Sequence, residues 1–173
     1  MSTEPMPPLP PVVIRPVSPD DLAEIKALHA LAFGPGRFTR TAYRVREGTA
    51  AISPFCLAAI LDGRIAAALR FTPITVGGSC GALLLGPLVV APDLAGQGIG
   101  RELIRQGLER ARAAGVRLVL LVGDAPYYRR LGFAPVPAGR IVLPGPVDPA
   151  RLLAAELEPG ALGEFRGMVT AAA

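Results

Sequence analysis

Gly96, Gly98 and Gly100 stand between an apolar, strand-like run that closes on Pro92-Asp93 and a helical pattern that begins at once, all within residues 85–104, LGPLVVAPDLAGQGIGRELI. Glycines at such a junction let the backbone approach a ligand closely. The helix start then presents unpaired N–H groups and the positive end of its dipole, which suits an anion. The chemistry this arrangement could do is the binding of a phosphate-bearing cofactor. A dinucleotide fingerprint, Gly-x-Gly-x-x-Gly, fails on spacing, because its third glycine would fall on Arg101 or Leu103. A tight turn alone needs fewer than three alternate glycines.

Scarcity excludes other chemistries. Every basic residue except Lys26 is arginine, so the chain has no Gly-Lys-Ser/Thr sequence and hence no P-loop. Lys26 lies on the polar side of an N-terminal helical pattern, which does not favour a Schiff-base role. His29 is the single histidine, so a multi-histidine metal site is impossible and no metal is expected. It stands beside the apolar stripe of that helix and reads as a packed or half-exposed structural residue. Cys56 and Cys80 lack the spacing of a zinc site or a disulfide framework, and both are expected to be small buried hydrophobes in strands.

The chain has 173 residues, 51% of them hydrophobic, a net charge of +4 and 18% charged residues. This suits one domain with its own core, over residues 12–173, behind a flexible Pro-rich tail at residues 1–11. The arginines are scattered among acidic residues with no basic, aromatic-interleaved tract, so no nucleic-acid partner is expected. No apolar run reaches the ~18 residues that cross a bilayer. The N-terminus lacks a signal-peptide pattern, so no membrane association and a cytoplasmic address are expected.

The glycine loop must be held by the elements around it. Residues 12–17 read as a strand. Ser18 predicts an N-cap with Pro19 at the first helical position, and Leu22, Ile25 and Leu28 recur at helical spacing until Gly34-Pro35-Gly36. Thr39 predicts the cap of a second helix running to Glu47. Residues 55–61 and 64–76 are strand-like and meet at Asp62-Gly63, a strong hairpin signal. Residues 82–90 supply the next strand after Gly77-Gly78. A helix over residues 98–114 places Ile99, Leu103, Leu108 and Ala111 on one face. Residues 116–122 are nearly all apolar, as a buried parallel strand would be. A short helix at residues 126–131 precedes weaker strand signals at residues 140–143, 154–158 and 163–171. The order predicts an α/β fold with one crossover through the central helix.

Two segments together resemble the GNAT acyltransferase superfamily. The first is Ala95-Gly96-Gln97-Gly98-Ile99-Gly100, in the register of the family's Gln/Arg-x-x-Gly-x-Gly/Ala loop, preceded by a strand ending Leu88-Val89-Val90. The second is Tyr128-Arg129-Arg130-Leu131-Gly132-Phe133, similar to the family's Tyr-x-x-x-Gly-Phe. The resemblance runs from about residue 12 to 135. Gly123-Asp124 and the segment at residues 143–162 further resemble a bacterial subgroup of predicted N-acetyltransferases. The implied architecture is a mixed, mostly antiparallel central sheet flanked by helices. Ala95 departs from the family by replacing Gln or Arg, which removes a side-chain contact and keeps the backbone N–H. The Asn that many members carry after the fifth strand has no counterpart here.

The resemblance implies acetyl-CoA, or another short acyl-CoA, as donor and a small-molecule or peptide amine as acceptor, in a monomer or homodimer. The cofactor's pyrophosphate would meet the N–H groups of Gly96, Gln97, Gly98, Ile99, Gly100 and Arg101, and its pantetheine would lie along Leu88, Val89 and Val90 like an added strand. Arg101 and Arg105 either attract the phosphates or belong to a solvated helix face. A neutral amine would attack the thioester directly. An N–H at Val89 or its neighbour would polarise the carbonyl, and Tyr128 would protonate the departing thiolate. No carboxylate stands out as general base. An acyl-CoA-binding module without catalysis is the alternative, and Ala95 is its support. Acceptor selectivity is expected around residues 33–43 and in the C-terminal segment.

Overall fold

The computed structural model describes residues 8–34 and 41–172. The Thr39 cap, the Pro35-Gly36 stop and most of the N-terminal tail and of the 33–43 segment lie outside the described residues. Strand β1 (Val13–Pro16) pairs antiparallel with β2 (Leu57–Leu61), and β2 with β3 (Arg64–Val76). The β2–β3 hairpin turns at Asp62 and Gly63, with φ of 49° and 76°. Two successive positive-φ residues match the right-handed twist of the strands they join. Strand β3 continues antiparallel to β4 (Ser79–Val90). Farther along, its end takes β9 (Gly167–Ala171) on the edge that β2 has left, with Ile74 opposite Ala171.

Helix α1 (Leu22–Phe33) follows a short 3₁₀ turn at Pro19–Asp21. The Asp21 carboxylate accepts the Ser18 N–H at 2.8 Å and a two-pronged pair of bonds from Arg15 at 2.7 and 2.9 Å. Helix α2 (Thr41–Arg46) precedes β2. The crossover helix α3 (Ile99–Ala113) leads from β4 to β5 (Leu118–Val122), which is parallel to β4. Helix α4 (Ala125–Arg129) follows, then β6 (Ala134–Pro135), β7 (Ile141–Val142) and β8 (Leu152–Glu156). Strand β8 pairs antiparallel with β5 and carries β6 on its other side. Pairing is antiparallel except for β4–β5 and β7–β9 among the described residues.

The two faces of the sheet have different covers. Ile99, Leu103, Ile104 and Ala111 of α3 pack on Leu57, Leu69 and Phe71, joining one apolar cluster. On the opposite face Ile25 of α1 packs with Ile65, Ala68 and Val89. The period of two along a strand explains the split: Leu69 and Phe71 face α3 while Ala68 faces α1. A second core holds Ile74, Leu84, Leu118, Leu120, Phe165 and Val169 beneath the C-terminal segment.

Several expectations are corrected. Cys56 is buried, but Cys80 is exposed, because it sits next to the Gly77-Gly78 turn where β4 has barely begun. Strand β8 begins at Leu152 rather than residue 154, since its pairing with β5 sets Leu152 against Val122. Residues 161–164 form a 3₁₀ turn, which leaves β9 to start only at Gly167. Strand β6 is an addition. It is two residues long, too short for an alternating pattern to appear.

Candidate active site

The parallel contact between β4 and β5 is brief. It sets Ala82, Leu83 and Leu84 against Leu118, Val119 and Leu120, and goes no further. Beyond Leu84, strand β4 remains bonded to β3 through Leu88, Val89 and Val90, opposite Leu69, Ala68 and Ala67. Its other edge has no strand partner there among the described residues, so backbone groups facing β5 are open to a ligand that pairs as a strand would. The register with β3 also shifts in this stretch: Leu69 faces Leu88, yet Phe71 faces Leu85. Gly86 and Pro87 therefore bulge opposite the single residue Arg70.

The glycine loop closes one end of this opening. Gly96 and Gly98 have φ of 79° and 87°, a region that side-chain-bearing residues seldom adopt. Gly98 is the N-cap of α3, and no side chain caps the helix there. The first-turn N–H groups consequently have no intrahelical acceptor. Gly100 serves differently. A Cβ on it would lie 3.2 Å from Cδ2 of Leu88 and 3.3 Å from Cγ2 of Val90, so its bare Cα lets the first turn of α3 sit close on β4. Ile99 is buried in the core and anchors the turn, leaving its backbone for any ligand. Val89 points to the α1 face, beside Ile25.

Gly98, Arg101, Arg105 and Arg130 line a cavity of about 430 Å³ at this helix start, together with Glu102 and Glu109. Arg105 is ion-paired to Glu102 at 2.6 Å and Glu109 at 3.1 Å. The Arg105 hydrogen bond, and after it that of Gln106, holds the Glu102 carboxyl below its ordinary value. Of the two readings for Arg105, the solvated helix face is the one its contacts satisfy.

Tyr127 and Tyr128 of α4 stand at the side of the opening, their rings edge-on with centroids 4.9 Å apart. Tyr128 also meets Phe133 edge-on at 5.8 Å. Burial pushes the Tyr128 hydroxyl up to about 12; Tyr127 and Asp124 add to the rise and Arg151 opposes it. The group is therefore protonated at neutral pH, and its hydroxyl has no hydrogen-bond partner among the described residues. Tyr127 directs its hydroxyl toward the first turn of α3, 3.6 Å from the place of a Cβ on Gly100.

A larger cavity of about 970 Å³ spans the α1 side of the sheet and reaches Leu88, Tyr127 and Tyr128. It brings in residues that no local spacing singles out, among them Arg46, Arg70 and Arg151. The signal available in the sequence is Gly86-Pro87 inside an apolar strand run, which marks a bulge. His29 lines the same cavity, half-buried, with its ring 5.8 Å from that of Phe33. Among the described residues no group of three His, Cys, Asp or Glu is placed to hold a metal ion, and no helix is long and apolar enough to cross a membrane.

Comparison with known proteins agrees with the fold. The uncharacterized N-acetyltransferase YjhQ of Escherichia coli (strain K12) is 33% identical over 118 residues, 66% of this chain and 65% of that protein. The chain thus spans slightly under two thirds of that relative's length. The crystal structure of the GNAT family N-acetyltransferase YhbS from Escherichia coli in complex with CoA superposes with a TM-score of 0.80 at 26% identity, covering 98% of this chain and 93% of that one. A GNAT family acetyltransferase from Brucella melitensis, in complex with acetyl-CoA, gives a TM-score of 0.69 at 31% identity, with 94% and 96% covered. Residues 22–133, from the start of α1 to the Phe133 that packs on Tyr128, match the Acetyltransferase (GNAT) family, and the chain belongs to that family.

Proposed function

We propose that this chain transfers an acetyl group from acetyl-CoA to the nitrogen of a primary amine. The observation that carries the reading is the parting of β4 from β5 after Leu84, with the uncapped start of α3 at one end and Tyr128 at its side. Bound CoA and acetyl-CoA in the Escherichia coli and Brucella structures support the choice of donor.

In this reading the open edge at Leu88, Val89 and Val90 pairs with the pantetheine amides. The N–H groups of Gly96, Gln97, Gly98, Ile99, Gly100 and Arg101 take the pyrophosphate, an anion suited to a helix start. A backbone N–H at Val89 or its neighbour polarises the thioester carbonyl. The neutral amine attacks the carbonyl carbon; a C–N bond forms, the C–S bond breaks, and the electron pair leaves on sulfur. Tyr128 gives its hydroxyl proton to that thiolate and recovers one from the proton the amine sheds through solvent.

Two measurements test the proposal. Acetyl-CoA should raise the melting temperature, because a ligand selective for the native state stabilises it by mass action, and EDTA should change nothing. Thiol release from acetyl-CoA should appear with at least one member of a panel of amines, amino acids, polyamines, aminoglycosides and peptides. A melting transition that NAD moves and saturating acetyl-CoA does not would overturn the reading. A shift with acetyl-CoA and no thiol release with any amine identifies a binding module without catalysis.

A further inference from the structure

The larger cavity has an uneven distribution of charge. Arg46 of α2 is buried, donates its Nε–H to the Ala42 carbonyl at 3.1 Å, and brings Nη1 to 3.7 Å from the place of a Cβ on Gly86. Arg70 of β3 stands opposite the same Gly86-Pro87 bulge and, by the strand's period of two, on the face of Ala68 and Val89. Its Nη2 donates to Thr49 Oγ1 at 2.9 Å and to the Ala50 carbonyl at 3.1 Å, which fixes the guanidinium. Thr49 in turn donates to the Arg46 carbonyl at 2.6 Å, so the two arginines share one support. No carboxylate of the described residues lies within ion-pair distance of Arg70, and its Nε–H and Nη1 donors make no hydrogen bond among them.

A partly desolvated guanidinium without a carboxylate is costly unless an anion completes it. Burial indeed pulls the Arg70 pKa below its ordinary value. The carboxylates that line this cavity, Asp124 and Asp148, are exposed, and Asp148 already accepts the Ala150 N–H at 2.9 Å. Lys26 and Arg151 add positive charge at the exposed margin. The cavity is therefore cationic where it is closed and mixed where it is open.

We infer that the acceptor is a compact amine carrying an acidic group, a carboxylate or a phosphate, which the guanidinium group of Arg70 receives at the β4 bulge. This rests on the acetyl-transfer reading above and names the substrate class for it. Arginine forks match carboxylate and phosphate oxygens, giving charge-assisted bonds with fixed geometry. Spacing limits the molecule's size. The bulge is two to three residues along β4 from Leu88 and Val89, about 7–10 Å at the usual strand rise. An amine poised near Val89 and an acid at Gly86 are thus separated by a short linker.

The test compares matched acceptors with the intact chain and acetyl-CoA: β-alanine and γ-aminobutyrate against their primary amides, phosphoethanolamine against ethanolamine, and spermidine as a cation. Acidic amines should exceed their neutral counterparts in kcat/KM by at least about tenfold, the scale of one charge-assisted contact. The carboxylate and phosphate arms identify which acid is preferred. Arg70→Gln should bring the ratio toward one through a loss larger for the acidic amines than for the neutral ones, with the melting shift given by acetyl-CoA unchanged. Arg70→Lys, which keeps the charge, should restore part of the preference. Preference for spermidine or neutral amines overturns the inference, as does an Arg70→Gln loss equal for all acceptors, and both leave acetyl transfer intact. If no amine reacts although acetyl-CoA binds, acidic amines should still raise the melting temperature of the CoA complex above their amides in an Arg70-dependent way. Absence of that difference also overturns it.

Discussion

The ring of Tyr128 lies against the bare Cα of Gly123: a Cβ built there would stand 2.6 Å from Cε2 and 3.1 Å from Cδ2 of the ring. Real Cβ atoms do not approach that closely, so the glycine that follows β5 fixes where the phenol can sit. The orientation of the proposed proton donor thus depends on a residue with no side chain of its own.

Gly123→Ala should therefore move Tyr128 without touching the glycine loop. Turnover is expected to fall about tenfold or more, as when a positioned acid is displaced. The acetyl-CoA dissociation constant should change by less than about threefold, a shift smaller than the loss of one hydrogen bond, since the substituted residue lies away from α3. A wild-type turnover number for Gly123→Ala, measured beside its circular dichroism, would show that the position of Tyr128 does not matter.

Much of this arrangement is legible in the sequence alone, and the reasons are local. Asp62-Gly63 names its own hairpin, and the spacing of Ile99, Leu103, Leu108 and Ala111 names the buried face of α3. Gly96 and Gly98 mark the loop because the chain needs positive φ there. The C-terminal third is harder. LLAAE at residues 152–156 has no alternation, and only its pairing with β5, far earlier in the chain, makes it a strand. Arg46, Arg70 and Arg151 share a cavity through tertiary packing alone. No spacing in a single sequence connects them.

Arg15 and Asp21 make a separate prediction about stability. Arg15 hydrogen-bonds to the Asp21 carboxylate and holds it well below the usual carboxylate range, with the Ser18 N–H assisting and burial opposing. A depressed folded-state pKa stabilises the protein above the ordinary carboxylate value, about 4, and that stability is lost progressively as pH falls from there through the folded-state value. Asp21→Asn should cost about 1–2 kcal/mol at pH 7, a figure kept low because Arg15 is partly exposed. Between about pH 4 and 2 the melting temperatures of variant and wild type should draw together. A gap of constant size across that range would place the effect in packing rather than in charge.

Gly98→Asp tests the anion site. Asp is among the few side-chain-bearing residues that tolerate the left-handed region, so the φ of 87° should not prevent folding. A carboxylate at the N-cap of α3 repels the pyrophosphate proposed for that place. Acetyl-CoA affinity should drop at least about tenfold with little change in circular dichroism, and Gly98→Asn, which is uncharged, should retain more of it. Equal losses for Asp and Asn would assign the effect to backbone geometry instead.

Tyr128→Phe removes one hydroxyl and keeps the ring against Gly123, Tyr127 and Phe133. Packing should survive, and the acyl-CoA dissociation constant should hold. Loss of a positioned acid costs about 10²–10⁴-fold in general, and less when the leaving group is already a fairly stable anion. A thiolate is such a leaving group, so the expected loss in kcat is about ten- to a hundredfold. Tyr127→Phe should be milder, because its hydroxyl faces Gly100 rather than completing the proton transfer. The pH profile adds a second readout. With its pKa pushed up to about 12, Tyr128 remains protonated far above neutrality, so wild-type kcat should rise as the acceptor amine deprotonates and then hold to about pH 10. A falling limb near about pH 8–9 that disappears in Tyr128→Phe would contradict the elevated pKa, and equal rates for the two proteins with a true acceptor would remove Tyr128 from the chemistry.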